Sequence, residues 1–519
     1  MANRVQKTLM NARVNLIFYF LFLFMSFFSR KIFLDALSTS FMGLSTTLSG
    51  FLGILSLAEL GISQAVGYAL YKPLFDKDKK KLNEIVSVLG FLYYIVGTVI
   101  LVCGIIISLF FPLIFAKEDY PMLLIYVMFY ATLGCSLLSY FVNYRQSLLG
   151  ADQRFYIVSV YTQTLTIVCY ILQIIFLYFT ANPYIWISIN VFSMVISSIL
   201  LNWKIDKQYP WLKTSIRLGM QKYKEYPEIM KKTRQLFIHN IGGFAQFKLQ
   251  PVVMYSFASL SSIGMYTNYS ILSDKVTTFV GQFFTGSLAS VGNLIAEGNE
   301  KKIMRIFYEL FSLKMLAAGF LAFGLWHLTE PFLACWLGEQ YIMSKTLLFL
   351  IVVNCYIMQT RSVTDQFLNG YGIFRDVWAP IVESIISVVV AIFGGYFFGL
   401  EGVLLGTIVS MSLIIVLWKP YLLFKDGFKQ SVWRYWFYYI KSLVGLCMAF
   451  VISSQLLSLV ANCMGINPYL SFLKWMIFAV VAMSIFSIVY FALLFVLTQG
   501  MRDFYHRMTE MLLKTKLRK

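Results

Sequence analysis

The sequence predicts an all-α polytopic membrane protein. It should hold about fourteen transmembrane helices, arranged as two parallel six-helix repeats plus two C-terminal helices. Composition is the first reason: of 519 residues, 59% are hydrophobic, 18% aromatic and 13% charged, with mean hydropathy +0.73. A soluble domain carries roughly 25% charged residues, so this chain cannot clothe itself for water. Length of the apolar runs is the second reason, since each can cross roughly 30 Å of hydrocarbon. The third is that Lys and Arg come in pulses, with nearly uncharged connections between them.

The apolar stretches of the first half lie near 12–36, 42–71, 85–114, 121–147, 155–180 and 183–203. Those of the second lie near 235–258, 264–294, 304–328, 341–370, 375–398 and 401–424, and two more follow near 434–460 and 469–498. Basic pulses fall at Lys72 to Lys81, Arg145/Arg154, Lys204 to Arg234, Lys301/Lys302/Arg305, Arg375, Lys419 to Arg434 and Arg502 to Lys519. The connections around Asn182, Ser261, Thr329–Gln340 and Asn462 are nearly free of them. Positive residues resist crossing the bilayer during insertion, so the pulses mark the cytoplasmic side and place both termini there. The basic N-terminus before the first apolar run reads as a retained span, because no small-residue cleavage site follows.

This division gives an N-terminal six-helix lobe (1–203), a basic cytoplasmic connecting loop (204–234), a C-terminal six-helix lobe (235–424), and two added helices with a basic tail (425–519). The connecting loop, with Pro210 and Pro227, suits a short amphipathic helix at the membrane surface. A faint repeat supports the two lobes: Gly61-Ile-Ser-Gln-Ala-Val-Gly67 before Asp76–Glu84, and Gly286-Ser-Leu-Ala-Ser-Val-Gly292 before Glu297–Ile303. Each reads as a helix end followed by a polar Lys-Lys loop. Even span numbers make the repeats parallel, related by a pseudo-two-fold along the membrane normal. The net charge of +19 flanks apolar segments, which points to anionic lipids and not to nucleic acid. The seven Cys are isolated and read as small buried hydrophobes, and His239, His327 and His506 are too scattered for a metal site. Nothing calls for a cofactor.

The run Gly43-Leu-Ser-Thr-Thr-Leu-Ser-Gly-Phe-Leu-Gly-Ile-Leu-Ser-Leu-Ala-Glu-Leu-Gly61, the Lys-rich loop Asp76–Glu84, and Gly264-Met-Tyr-Thr-Asn-Tyr-Ser-Ile-Leu carry a resemblance. The chain resembles the polysaccharide-transporter (Wzx-type flippase) family of the multidrug/oligosaccharidyl-lipid/polysaccharide superfamily. That resemblance covers the first twelve spans. It implies two six-helix lobes around a cavity open alternately to either side of a bacterial inner membrane. It also implies a polyprenyl-pyrophosphate-linked oligosaccharide as cargo, with a polysaccharide polymerase or glycosyltransferases as partners. Where many members carry an acid in span seven, this chain reads Phe247-Lys248-Leu249-Gln250.

Charges inside spans are costly and mark cavities or buried pairs. Lys248, three residues before the helix-bending Pro251, reads as a cargo-phosphate contact, a snorkelling residue or a partner of an acid. Asp274 and Lys275 are adjacent, so they point about 100° apart and face different neighbours. One could meet cargo, or both could serve structural ion pairs. Arg361 and Asp365 share a helix face four residues apart and suit a local salt bridge, with Arg361 also a cavity candidate. Glu59 fits a coupling proton, helix–helix hydrogen bonding or simple exposure in a cytoplasmic vestibule, and Arg30 with Lys31 either holds phosphate or anchors the first span.

No extramembrane segment is large enough for a catalytic domain, so the chain reads as a transporter and not an enzyme. A flippase of lipid-linked oligosaccharide leads. A cation-coupled multidrug exporter of the same superfamily and a membrane-embedded glycosyltransferase or polymerase are the alternatives. The excess of basic candidates argues against the exporter. The glycosyltransferase lacks an acid pair in a sizeable loop.

Overall fold

A computed structural model describes residues 4–59, 61–282, 284, 287–373, 375–376 and 378–517, with backbone alone for 4–9, 11–12, 16, 238–247, 282, 287–290, 293 and 511–517. The described residues are helices joined by short turns. They form two compact units, Met1–Gly264 and Met265–Lys519.

The first unit runs through α1 (Arg4–Leu55), α2 (Ile62–Asp76), α3 (Lys79–Ser108), the single turn α4 (Phe111–Ile114), α5 (Met122–Phe141) and α6 (Gln146–Ala151). It continues with α7 (Phe155–Thr180), α8 (Pro183–Gln208), α9 (Ile216–Lys222), α10 (Pro227–Lys248) and α11 (Gln250–Phe257), and ends at the start of α12 (Leu260–Gln282). The second holds the rest of α12, α13 (Ser287–Ala296), α14 (Glu300–Trp336), α15 (Lys345–Tyr371), α16 (Ala379–Met411) and α17 (Lys419–Leu422), the last flanked by π-helical turns. The chain finishes with α18 (Trp433–Cys463), α19 (Phe472–Leu497) and α20 (Gln499–Leu517).

Ten helices of the described residues are long and apolar enough to cross a membrane, against about fourteen expected stretches. Two of the ten are double. α1 reverses at Ser38 (φ 78°, ψ 164°), so Phe33 and Phe41 stack 5.8 Å apart, far closer than eight residues along a straight helix allow. α16 reverses at Gly399 (φ 59°, ψ −131°). There a Cβ on Gly402 would sit 1.9 Å from the Gly394 carbonyl oxygen, and one on Gly406 2.3 Å from that of Ser387. Only glycine lets the two limbs touch backbone to backbone. Tyr396, Phe397 and Phe398 crowd this reversal and are 77, 71 and 64% exposed. α10–α11 and α12 make up the remaining difference, because their polar residues keep them out of the ten.

Each unit sorts its loops by charge. In the first, Asn83 bonds the backbone of Trp211 and Lys213, Tyr226 donates to Glu84 (2.7 Å), Tyr209 donates to Asp152 (2.8 Å), and Arg145 pairs with Asp206. Three separate basic pulses therefore gather at one end. Burial, followed by the carboxylate it bonds, pushes the Tyr226 phenol well above its ordinary range. The connections with few Lys or Arg gather at the opposite end, where Trp186 meets Phe33 and Phe41, and Tyr120, after Lys117-Glu118-Asp119, meets Ser38 and Phe41. The second unit does likewise, with Arg375 on Asp426 and Tyr371 on Phe428 at the basic end, and Lys345 on Glu330 and Ser344 on Glu401 at the other.

The connecting loop does hold a short helix, α9, with Ile216 and Met220 exposed and Gly219 buried. It packs flat on α3, because a Cβ on Gly219 would lie 2.0 Å from the Ser87 carbonyl oxygen. The two polar Lys-Lys loops share one turn. A left-handed residue (Lys77, φ 55°; Gly298, φ 70°) precedes an N-cap (Asp78; Asn299) whose side chain accepts from the N–H three residues on. This satisfies an otherwise unpaired helix donor and sets where α3 and α14 begin. The glycine motif itself differs from expectation. Gly61 is a left-handed N-cap that breaks span two, Gly67 sits inside α2, which continues to Asp76, and Gly286 lies outside the described residues.

Candidate functional site

In the first unit, α1 tightens into a 3₁₀ turn at Ser56–Glu59 before Gly61 (φ 90°) starts α2. The kink turns Glu59 toward α3 and α5. Its two oxygens accept the hydroxyls of Tyr93 (2.8 Å) and Tyr140 (2.7 Å), whose rings meet edge-on at 5.4 Å. The helix–helix hydrogen bonding anticipated for Glu59 is thus present, through phenols.

Lys248 ends α10, and the helix is interrupted at Leu249, with Pro251 in the first turn of α11. The bend expected from Pro251 is a one-residue interruption of the helical hydrogen bonding, since proline cannot donate to the preceding turn, while Leu249 keeps helical angles (φ −78°, ψ −27°). The Lys248 side chain is exposed, and its stem crosses α1 at Gly53, where a Cβ would stand 3.3 Å from its Cδ. Gly50 takes Pro251 in the same way, at 3.0 Å. Arg30 lies half-buried on the first limb of α1, its Nη1 donating to Met42 Sδ (3.0 Å) across the Ser38 reversal, while Lys31 is exposed. Gly43 and Gly264 bring α1 and the start of α12 into backbone contact, with a Cβ on Gly264 only 2.0 Å from the Thr39 oxygen.

In the second unit, Asp274 is exposed and Lys275 half-buried. Ser273 and Thr277 beside them turn to Cys355 (2.7 and 3.7 Å). Arg361 and Asp365 pair (2.6 Å), and Lys419 joins from the far side, its Nζ 2.9 Å from the other oxygen of Asp365. The side chains are 28, 25 and 14% exposed, so one carboxylate serves two cations in partly desolvated surroundings. Buried Glu383 on α16 is close enough to act on Arg361 electrostatically. The structure brings Arg361 and Asp365 together, adds Lys419, and leaves Asp274 and Lys275 outside this network.

A residue that the sequence reasoning passed over is Lys314, near the middle of α14 and 3% exposed. Its ammonium sits 3.8 Å above the Phe284 ring and 3.4 Å from Gln359 Oε1, and Gln359 is fixed by donating to the Thr277 carbonyl (3.2 Å). No carboxylate of the described residues pairs with it. The signal was a lone lysine in Phe311-Ser-Leu-Lys-Met-Leu-Ala-Ala-Gly319, masked by nearby Arg305 and Glu309, which make it look like a span terminus. Glu309 was passed over as well: it is fully buried and held by Arg507 of α20 (2.7 Å) and by Arg305 (3.7 Å). Tyr269 is 1% exposed, and its hydroxyl accepts from the Met343 N–H (2.9 Å). Among the described residues no group of three or more His, Cys, Asp or Glu could hold a metal.

The backbone is similar to that of a lipid II flippase, MurJ, in an inward closed conformation (TM-score 0.62, 16% identity), over 93% of this chain and 99% of that one. It is also similar to an inward-facing multidrug resistance MATE family transporter of the MOP superfamily (0.59, 14%), over 78% and 95%. A third likeness is to a MOP superfamily transporter from Pyrococcus furiosus (0.51, 15%), over 83% and 98%. The chain has the MATE/MurJ-like fold. No protein-family model matches the sequence, and no curated protein matches it.

Proposed function

We propose that this MATE/MurJ-like protein is a transporter, and within that class a flippase that carries a polyprenyl-pyrophosphate-linked oligosaccharide across a bacterial inner membrane by alternating access. The observation that carries this reading is Lys314, a lysine ammonium in the interior of a spanning helix with an aromatic face and an amide beside it and no carboxylate among the described residues. A cation kept at that depth is costly unless an anion uses it. A pyrophosphate headgroup cannot enter hydrocarbon unaided, and a cationic lining answers its charge. Lys248, exposed where α10 meets α11, adds a positive charge of a different kind, one open to its surroundings. The breadth of the likeness to the lipid II flippase, 93% of the chain against 78% for the multidrug transporter, supports the same reading.

The basic end of each unit is the cytoplasmic end in this reading, where anionic lipids face the basic pulses. A cysteine at Lys213 should resist, and one at Glu339 should accept, an impermeant maleimide added outside intact cells. The reverse pattern overturns the orientation. The function itself is tested by complementing a strain that lacks its flippase and scoring surface polysaccharide at matched membrane abundance. Lys314→Met is expected to abolish export. Full export from that variant removes the observation on which the proposal stands.

A further inference from the structure

A cavity of about 560 Å³ opens in the first unit beside Glu59, within the range that holds small-molecule ligands. Glu59 and Tyr93 form part of its wall, Ser63 and Gln64 of α2 face Gln146 and Ser147 of α6, and Tyr68 and Tyr71 line it from α2. Its lining includes no Lys or Arg. The two tyrosines are each 55% exposed and meet edge-on at 6.1 Å.

We infer that this cavity binds a neutral, hydroxyl-rich ring, a sugar unit of the cargo, as a subsite separate from the cations that answer phosphate. Three features select that chemistry. Amides at Gln64 and Gln146 and hydroxyls at Ser63 and Ser147 each both donate and accept, which suits vicinal hydroxyl groups. The exposed Tyr71 ring, and the face of Tyr68 that Lys232 leaves open, suit the apolar side of a pyranose. The lining residues carry a formal negative charge at Glu59 and no positive one, and the Lys232 ammonium beside them is taken up by the Tyr68 ring.

An organic cation fits less well. Both oxygens of Glu59 already accept phenol hydrogens, and the Lys232 ammonium stands 4.7 Å over the Tyr68 ring, where it repels a second cation. The cavity lies close to the basic loops of its unit, near Arg145 and Arg154. It is therefore placed to engage cargo on the side where the lipid-linked sugar is made. Its part in transport rests on the flippase reading, whereas sugar binding itself does not.

Gly67 supplies the decisive variant. It lines the cavity from within α2, and a Cβ there meets nothing within 4 Å. Gly67→Leu therefore fills the cavity with no clash at its Cβ and favours the helix it sits in. The full-length protein in nanodiscs, free of maltoside detergents, is probed with free galactose and N-acetylglucosamine by saturation-transfer NMR. Parallel samples contain tetraphenylphosphonium, or inorganic pyrophosphate observed by phosphorus line width. The wild type should transfer saturation to sugar ring protons, and Gly67→Leu, with an unchanged or raised Tm, should cut that transfer about tenfold. Tyr68→Ala should weaken it as well. Absence of transfer to either sugar, equal transfer in Gly67→Leu, or Gly67-sensitive binding of tetraphenylphosphonium or pyrophosphate would each overturn the assignment. Failure of the flippase reading looks different: sugar transfer persists while proteoliposomes move no lipid-linked saccharide.

Discussion

Replacing Lys314 with methionine removes one charge and leaves nearly the same volume. In the wild type the ammonium gains a cation–π contact with Phe284 at 3.8 Å, worth about 2 kcal/mol when desolvated. It also gains a hydrogen bond to Gln359 Oε1 at 3.4 Å, long enough to fall at or below the weak end of the roughly 1.5–3 kcal/mol expected for a charged group. Against these stands the cost of holding an ion out of water, several kcal/mol even after relaxation. Deleting the charge also leaves Gln359 Oε1 without its donor, at about 1 kcal/mol. The balance favours methionine by about 1–4 kcal/mol, the range seen when buried ions give way to packed hydrophobes. Lys314→Ala would confuse this by opening a cavity costing roughly 2–5 kcal/mol. A melting curve of the purified protein in nanodiscs should therefore move up by several degrees for Lys314→Met, while export in the complemented strain is lost. A lower Tm with intact export would show that the ammonium is a structural anchor and refute the reasoning. A higher Tm with intact export would leave Lys314 outside the transport path.

Three further outcomes are expected. Lys248→Ala should reduce export at normal abundance, with Lys248→Arg milder because it keeps the charge, whereas Lys80→Ala on the Asp76–Glu84 loop should export normally; equal export from Lys248→Ala and Lys80→Ala would place Lys248 off the path. Asp365→Asn leaves Arg361 and Lys419 without their shared carboxylate and should lower stability by about 3 kcal/mol, measured by denaturation of the purified protein. Adding Lys419→Met should recover part of that loss, and additive losses would show that the three are not coupled. At the α1 reversal, Ser38 holds a positive φ while its hydroxyl accepts from the Phe41 N–H (3.3 Å). Ser38→Gly should be neutral or stabilising because relief of strain outweighs a few tenths of a kcal/mol of capping, whereas Ser38→Ala should cost about 1 kcal/mol. The opposite order in Tm would show that the strain is not felt.

The membrane class and the positions of most spans were legible because they depend on local quantities: run length, hydropathy and the sidedness of Lys and Arg. The interruption before Pro251 and the Arg361–Asp365 pair were legible for the same reason, since proline chemistry and i,i+4 spacing are local. Lys419 joins Asp365 from fifty-four positions away, and Arg507 reaches Glu309 from the last helix. No periodicity in the chain announces such pairs. The redirection of Glu59 toward two phenols depends on a 3₁₀ turn before Gly61, and an apolar sequence such as Gly53-Ile-Leu-Ser-Leu-Ala-Glu59 carries no pattern that distinguishes it from plain α-helix. Lys314 is a different case. It is a charge well inside the 304–328 stretch, whose first turns also carry Arg305 and Glu309, and composition alone does not separate its buried ammonium from those end charges.

The reversal at Gly399 carries three large rings, Tyr396, Phe397 and Phe398, on the outside of a turn with almost no loop. The tyrosine, with its hydroxyl, settles at the boundary between headgroups and acyl chains, and the two phenylalanines favour the acyl side of it. With glycines clamping the two limbs, the rings cannot shift in height without taking both limbs along. The hairpin is thereby a depth gauge for that part of the second unit. Lipids with shorter or longer tails than the native ones should strain it, by fractions of a kcal/mol per ångström of mismatch. Acyl-chain length, a property of the host's lipid metabolism and growth temperature, then becomes a variable to which this protein answers.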